Sequence, residues 1–280
     1  MEHLDMPLGI GTQPPHLKEI LYELVFNITI EHIYLSSVRT GAHCVPVLII
    51  IIGDKANGPI NKLLPMVHKI VLGRPCFYYR MYHSDHIAEG IKNGNLFFIN
   101  GCTPEKMVFC GPWPKQCPQS QNTGIKEVLI IAKRNFNQEL HKVKTFWEGA
   151  DFYRERGHFS QAAFMLHQTL ELLFRTLERF MMGKEKVCHH IGNHQNYIRP
   201  FAPALGKLFD TERSEEAALL QLLDKAYVAV RYGDGYQITK EGLQSIQHKA
   251  IWLYKEVKRL FENSLDACKH ESKTNSYGNQ

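Results

Sequence analysis

The stretch Ala226-Tyr-Val-Ala-Val-Arg-Tyr-Gly-Asp-Gly-Tyr-Gln-Ile238 decides how the second half of this chain is read. It continues a helical period from Leu219, Leu220 and Leu223 through Ala226, Tyr227 and Val230. Arg231 closes that helix, and Gly233-Asp234-Gly235 predicts a turn, because these residues tolerate the backbone that stops a helix. The chain resumes at Tyr236. Thr239 then predicts the cap of a last helix stepping Leu243, Ile246, Ala250, Leu253, Val257 and Leu260.

The same period extends towards the N-terminus. Phe136, Leu140, Val143, Trp147 and Ala150 mark a first long helix. A second, from about Ser160, carries Ala162, Leu166, Leu173, Leu177 and Phe180 and stops at Gly183. A third begins near Ser214. Four amphipathic helices on short or modest connections, with a short fifth segment near Ile191, predict an antiparallel bundle over residues 125–265. Residues 266–280 are polar and predict a disordered tail.

The first 124 residues carry a different pattern. Leu17, Ile20, Leu21 and Leu24 mark a short amphipathic helix. Ile33–Leu35 and Val45–Ile52 read as neighbouring strands separated by a Ser-rich turn, Ser36-Ser37-Val-Arg-Thr-Gly41, and Ile60 to Val71 as a helix. Cys76–Tyr82 is aromatic-rich and strand-like. Leu96–Asn100 and Met107–Cys110 read as a hairpin around Thr103-Pro104. The sum is a small α/β domain. Residues 111–124, rich in proline and glycine, are the predicted linker. The whole is an α+β two-domain chain.

Composition narrows the function classes. Hydrophobic content of 44% and charged content of 22% are those of a globular protein. The formal charge of +5 is mild, and its excess lies on second-half helices where opposite signs alternate. That is a solvated surface, so duplex DNA is not expected as a partner. Seven cysteines without a CxxC pair read as reduced thiols. The N-terminus lacks a basic and apolar signal, and no run approaches the roughly 20 residues of a membrane span. A cytoplasmic protein is expected.

Ile33-Tyr-Leu-Ser-Ser37, Asn95–Ile99 and Lys106–Phe109 give the first half a resemblance to minimal nucleotidyltransferase domains of bacterial type. The resemblance implies two metal ions held by an acidic pair on the second strand and a third acid later, since Mg²⁺ requires hard oxygen ligands. Val45-Pro-Val-Leu-Ile-Ile-Ile-Ile52 contains no carboxylate, and neither does Cys76–Tyr82. Asp54 alone cannot assemble such a site. No cofactor or metal is expected here.

Three segments together give the second half a resemblance to HEPN domains over about residues 136–264. They are Gly157–Gln168 with Glu171, Cys188-His189-His190-Ile191, and Leu222–Tyr232. The resemblance implies a symmetric dimer cleft in which an arginine and a histidine of each subunit cleave RNA without metal. A histidine moves protons near neutral pH, and a guanidinium grips phosphate as a fork. Arg231 stands at the arginine position, but the histidine position holds Tyr236, whose ordinary pKa near 10 makes it a poor base.

Arg231 therefore either grips a phosphate or anchors the helix end by pairing with Asp224 or stacking on Tyr227. Gln168, Glu171 and Arg175 either form a surface stripe or, as the resemblance implies, meet Arg231 across the bundle. Cys188, His189, His190 and His194 lack a partner pair at zinc spacing and read as ordinary side chains. The candidate ligand-binding set is Arg231, Tyr236, Glu171, Gln168, Tyr227 and His189. The function expected is noncatalytic nucleotide or RNA-phosphate binding at a homodimer cleft, as a regulatory or toxin–antitoxin-type module. The alternatives are a weak metal-independent ribonuclease using Arg231 and His189, and a pure assembly module.

Overall fold

Val47 to Ile52 is buried on both of its faces, which is why the run is aliphatic without alternation. It lies in β2 (His43–Ile52) of a four-stranded mixed sheet of order β3-β2-β1-β4. In the computed structural model, residues 16–40, 42–53, 59–72, 77–112, 124–232 and 235–277 are described. The lead-in 1–15, the turn from Asp54, most of the 111–124 linker and the Gly233-Asp234 turn lie outside the described residues. The chain divides into two compact units, the second being Ile131–Lys269.

In the first unit β1 (Ile30–Thr40) pairs antiparallel with β2 and with β4 (Met107–Cys110), while β3 (Tyr78–His83) runs parallel to β2. Helices α1 (Leu17–Asn27) and α2 (Ile60–Leu72) cover one face through Leu17, Leu24, Val67 and Val71, packed on Leu48, Ile50 and Ile52. Helix α3 (Ser84–Lys92) follows β3 directly, and α4 (Leu96–Gly101) packs on β1. A Cβ at Gly101 would collide with the Ile49 side chain, so glycine permits that close approach.

Two expectations in this unit are corrected. Ser36 and Ser37 do not form a turn; they sit inside β1, opposite Val47 and Pro46, and the pairing continues to Thr40 opposite His43. From Ser37 to Arg39 exposed residues alternate with half-buried ones, a period-two surface that pairing with β2 sustains against local turn preference. Leu96–Asn100 is helix, not strand. The Asn95 side chain accepts from the Phe97 amide at 3.1 Å, and Leu96, Phe97, Phe98 and Ile99 are all buried. A short apolar run reads alike in either state.

The second unit is helical: α5 (Ile125–Glu155), which begins just before it, α6 (Phe159–Met182), α7 (Ile191–Ile198), α8 (Ser214–Tyr232) and α9 (Lys240–Tyr277), which ends just beyond it. Helix α6 ends where glycine predicts, with Gly183 in the left-handed conformation at φ 76°. Thr239 Oγ1 accepts from the Gly242 amide at 3.1 Å and caps α9. The core is tied across helices: Phe136 of α5 stacks on Phe261 of α9 at 3.7 Å, and Phe180 of α6 meets both edge-on. Helix α9 continues to Tyr277, past Asp266 where polar composition predicts disorder. Extending a packed helix costs no new nucleus, so polar residues can follow the apolar face outward.

Candidate functional site

Helix α6 presents Glu171, Arg175, Glu178 and Arg179 at positions i, i+4, i+7 and i+8, which lie on one face. Against that face runs the segment Gly183–His190, which has no helix or strand of its own. Side chains fix it instead. Arg179 donates from Nε and Nη2 to the two oxygens of Glu185 at 3.2 and 3.0 Å, a charge-assisted fork. Burial works against both charges, but the pairing outweighs it, raising the Arg179 pKa and lowering that of Glu185.

His189, at the end of this segment, is exposed, yet its Nδ1 lies 3.2 and 3.3 Å from the Glu171 oxygens. Glu171 is itself buried, at 4% exposure, and accepts from Gln168 Nε2 at 3.5 Å with Arg175 Nη1 at 3.6 Å. A carboxylate only accepts, so Nδ1 carries the hydrogen and the carboxylate orients the ring. The other face of the ring geometry is Tyr227: the His189 and Tyr227 rings stack at 4.2 Å and 15°.

Arg231, exposed in the last turn of α8, donates from Nε to the Tyr227 carbonyl at 2.9 Å and lays its guanidinium 4.0 Å over the Tyr227 ring. Two groups centred about 4 Å from one ring cannot share a face. Tyr227 is therefore clasped between the guanidinium and the imidazole, with Phe164 also within 5.8 Å of Arg231. Cation–π contact of this kind holds an arginine in place.

Beside Tyr227 lies His167, fully buried and tilted to it, with ring centroids 5.3 Å apart. Burial pushes its imidazole down to about 4, so it is neutral. Its Nδ1 meets Gln168 Nε2 at 3.1 Å, and its Nε2 lies 3.8 Å from Asp224 Oδ1. Asp224 is engaged by α7 instead. Its oxygens accept from the Ile191 and Gly192 amides at 2.6 and 3.4 Å, capping α7. Burial raises the Asp224 carboxyl, and those two amides oppose the rise.

Residues 140–260 match the family model of the HEPN domain. This segment is a HEPN domain. No curated protein matches the chain. HEPN domains are often linked to RNA binding or ribonuclease activity, and they commonly dimerise.

Within the HEPN domain the six candidate residues separate. His189, Glu171 and Gln168 form one hydrogen-bonded group, and Tyr227 joins that group to Arg231 by stacking. Glu171 reaches His189, Gln168 and Arg175, so the arrangement in which it meets Arg231 across the bundle is replaced by a relay through Tyr227. Tyr236 stands apart. Its hydroxyl donates to the Leu222 carbonyl at 3.1 Å, its own carbonyl accepts from Ser160 Oγ at 2.9 Å, and burial pushes the phenol up to about 12.

The histidine cluster also resolves. His194 is fully buried and binds Glu178 and the Cys188 carbonyl, while burial pushes the Cys188 thiol up, away from the thiolate a metal would need. Sequence reading missed Glu178, His194 and His167 as parts of the site. The seven-residue step from Glu171 to Glu178 was the available signal, since it places two acids on one helix face.

Proposed function

We propose that the HEPN domain binds RNA or a nucleotide through phosphate, without cleaving it, with Arg231 and His189 as the ligand-facing groups. The observation that carries this reading is the clasp on Tyr227: an exposed guanidinium and an exposed imidazole held by one aromatic ring. Arginine can take a phosphate with two parallel hydrogen bonds, and the imidazolium form of a histidine anchored through Nδ1 offers Nε2–H as a third donor. Tyr227 has both faces covered, so recognition falls on phosphate and not on a stacked base. Tyr236 serves the fold, through packing and its hydrogen bond to Leu222. A homodimer would bring two such clasps together, and unpaired cysteines such as Cys44 and Cys110 suit a reduced cytoplasmic setting. The sheet unit is read as a nucleotidyltransferase-like scaffold whose second strand has no carboxylate to hold Mg²⁺.

The test is fluorescence anisotropy with short single-stranded RNA over a salt series. A hydrogen bond to a charged group contributes about 1.5–3 kcal/mol, so Arg231→Ala weakens binding by roughly ten- to a hundredfold. It also lowers the slope of log affinity against log salt. Equal affinity and slope in wild type and Arg231→Ala would refute the reading, and a flat response for all RNAs leaves assembly as the role.

One observation favours a second reading. The Glu171–His189 contact is the geometry of a base with its orienting carboxylate. In that reading His189 transfers protons while Arg231 holds the phosphate, and RNA is cut to 2′,3′-cyclic phosphate ends. Cleavage that persists in His189→Ala would remove it.

A further inference from the structure

We infer that the buried pair Glu178–His194 is the positioning device for His189, setting the segment Lys184–His190 so that the imidazole meets Glu171 and Tyr227. The inference rests on the phosphate-binding reading for its functional consequence, but its structural content stands on separate contacts. Both side chains have no exposed surface. His194 Nδ1 lies 2.8 Å from Glu178 Oε1, and its Nε2 lies 3.0 Å from the Cys188 carbonyl. The other Glu178 oxygen accepts from the Lys186 amide at 2.8 Å.

These bonds act on the main chain of a segment that lacks regular structure. Lys186 N–H is held to α6, and Cys188 C=O is held to α7. The Cys188 carbonyl belongs to the planar peptide that leads into His189, so fixing that oxygen fixes the plane from which the His189 side chain departs. A carbonyl only accepts, so His194 Nε2 carries a hydrogen. Nδ1 and Glu178 Oε1 are hydrogen-bonded across 2.8 Å, and every polar side-chain atom of the pair has a partner.

The pair also explains why two charged residue types occupy the core there. A buried ion pair contributes little stability over apolar residues of similar shape, because desolvation offsets its attraction. What apolar residues cannot supply is a directional bond to Lys186 N–H and Cys188 C=O. Specification of the segment, not stability, is the physical use of this pair.

The experiment uses the full chain, with histidine labelled by nitrogen-15. It compares wild type with the Glu178→Leu/His194→Phe double variant, Glu178→Gln and His189→Ala. The double variant keeps a ring against Phe174, which His194 stacks on at 6.1 Å, and leaves no buried charge unpaired, so it should fold. Glu178→Gln can still accept from Lys186 and donate to His194 Nδ1, so it is the conservative rescue. The imidazole spectrum is read about two pH units above the ordinary histidine value, where each neutral ring reports which nitrogen is protonated.

In wild type and Glu178→Gln, His189 should show the Nδ1–H form that the Glu171 contact selects. In the double variant that preference should be lost, and affinity for single-stranded RNA should fall to the level of His189→Ala, about tenfold or more. A folded double variant with the wild-type His189 spectrum and RNA affinity would overturn the inference. A His189 spectrum that depends on the pair in a protein that binds no RNA would uphold the positioning role and overturn the phosphate reading instead.

Discussion

The His167→Gln substitution should flatten an acid-sensitive component of stability in the HEPN domain. His167 has no exposed surface, and burial pushes its imidazole from 6.5 down to about 4. Between these values the unfolded chain binds a proton at His167 and the folded chain does not. The unfolded state is favoured progressively as pH falls through that window, and above 6.5 there is no penalty. At 1.36 kcal/mol per pH unit, the full loss by pH 4 is about 3 kcal/mol. Asp224, 3.8 Å from the ring, acts with the opposite sign. Its raised carboxyl contributes stability below the ordinary carboxylate value, and that is lost as pH rises through its folded value, so it offsets part of the change at the acid end. Glutamine at 167 retains a donor and an acceptor but does not titrate. Urea unfolding of both proteins, followed by ellipticity at steps from neutral pH to about pH 4, gives the difference in unfolding free energy. That difference should change by about 3 kcal/mol across the window, with wild type losing stability faster. A difference that stays constant with pH would refute the assignment of His167 as a buried neutral imidazole.

Tyr236→Phe removes the hydroxyl that donates to Leu222 and should cost about 0.5–1.5 kcal/mol in the same unfolding assay, with unchanged RNA affinity in anisotropy. Asp224→Ala removes the acceptor for the Ile191 and Gly192 amides; it should cost about 1 kcal/mol and speed hydrogen exchange at those two amides relative to the rest of α7.

Most of the helical unit was legible because its signals are local. Gly183 stops α6 and Thr239 caps α9, each through backbone within a few residues. The sheet unit was less so. Ser36-Ser37 has the composition of a turn, yet it lies inside β1, whose pairing with β2 runs on to Thr40 opposite His43, and cross-strand pairing leaves no mark on a two-residue composition. Leu96-Phe-Phe-Ile99 is apolar without a period, and only Asn95 hinted at a helix start. Of the candidate residues, Tyr227 stacking under Arg231 follows from their four-residue spacing on one helix. The Glu171–His189 contact spans a chain reversal and had no local signature.

By itself the sequence determined the helical periods, the aliphatic strand Val45–Ile52 bare of carboxylates, and an arginine at the end of α8 with tyrosine where a histidine would stand. Those properties depend on spacing and residue chemistry, which the chain carries with it. Tertiary structure decided which of those residues meet. It turned Tyr236 inward onto Leu222, put His189 in place beside Tyr227, and buried Glu178 against His194. The reason is physical: the segment from Lys184 to His190 has no repeating backbone bonds, so its course is set by side chains from α6, α7 and α8 that converge only when the helices pack.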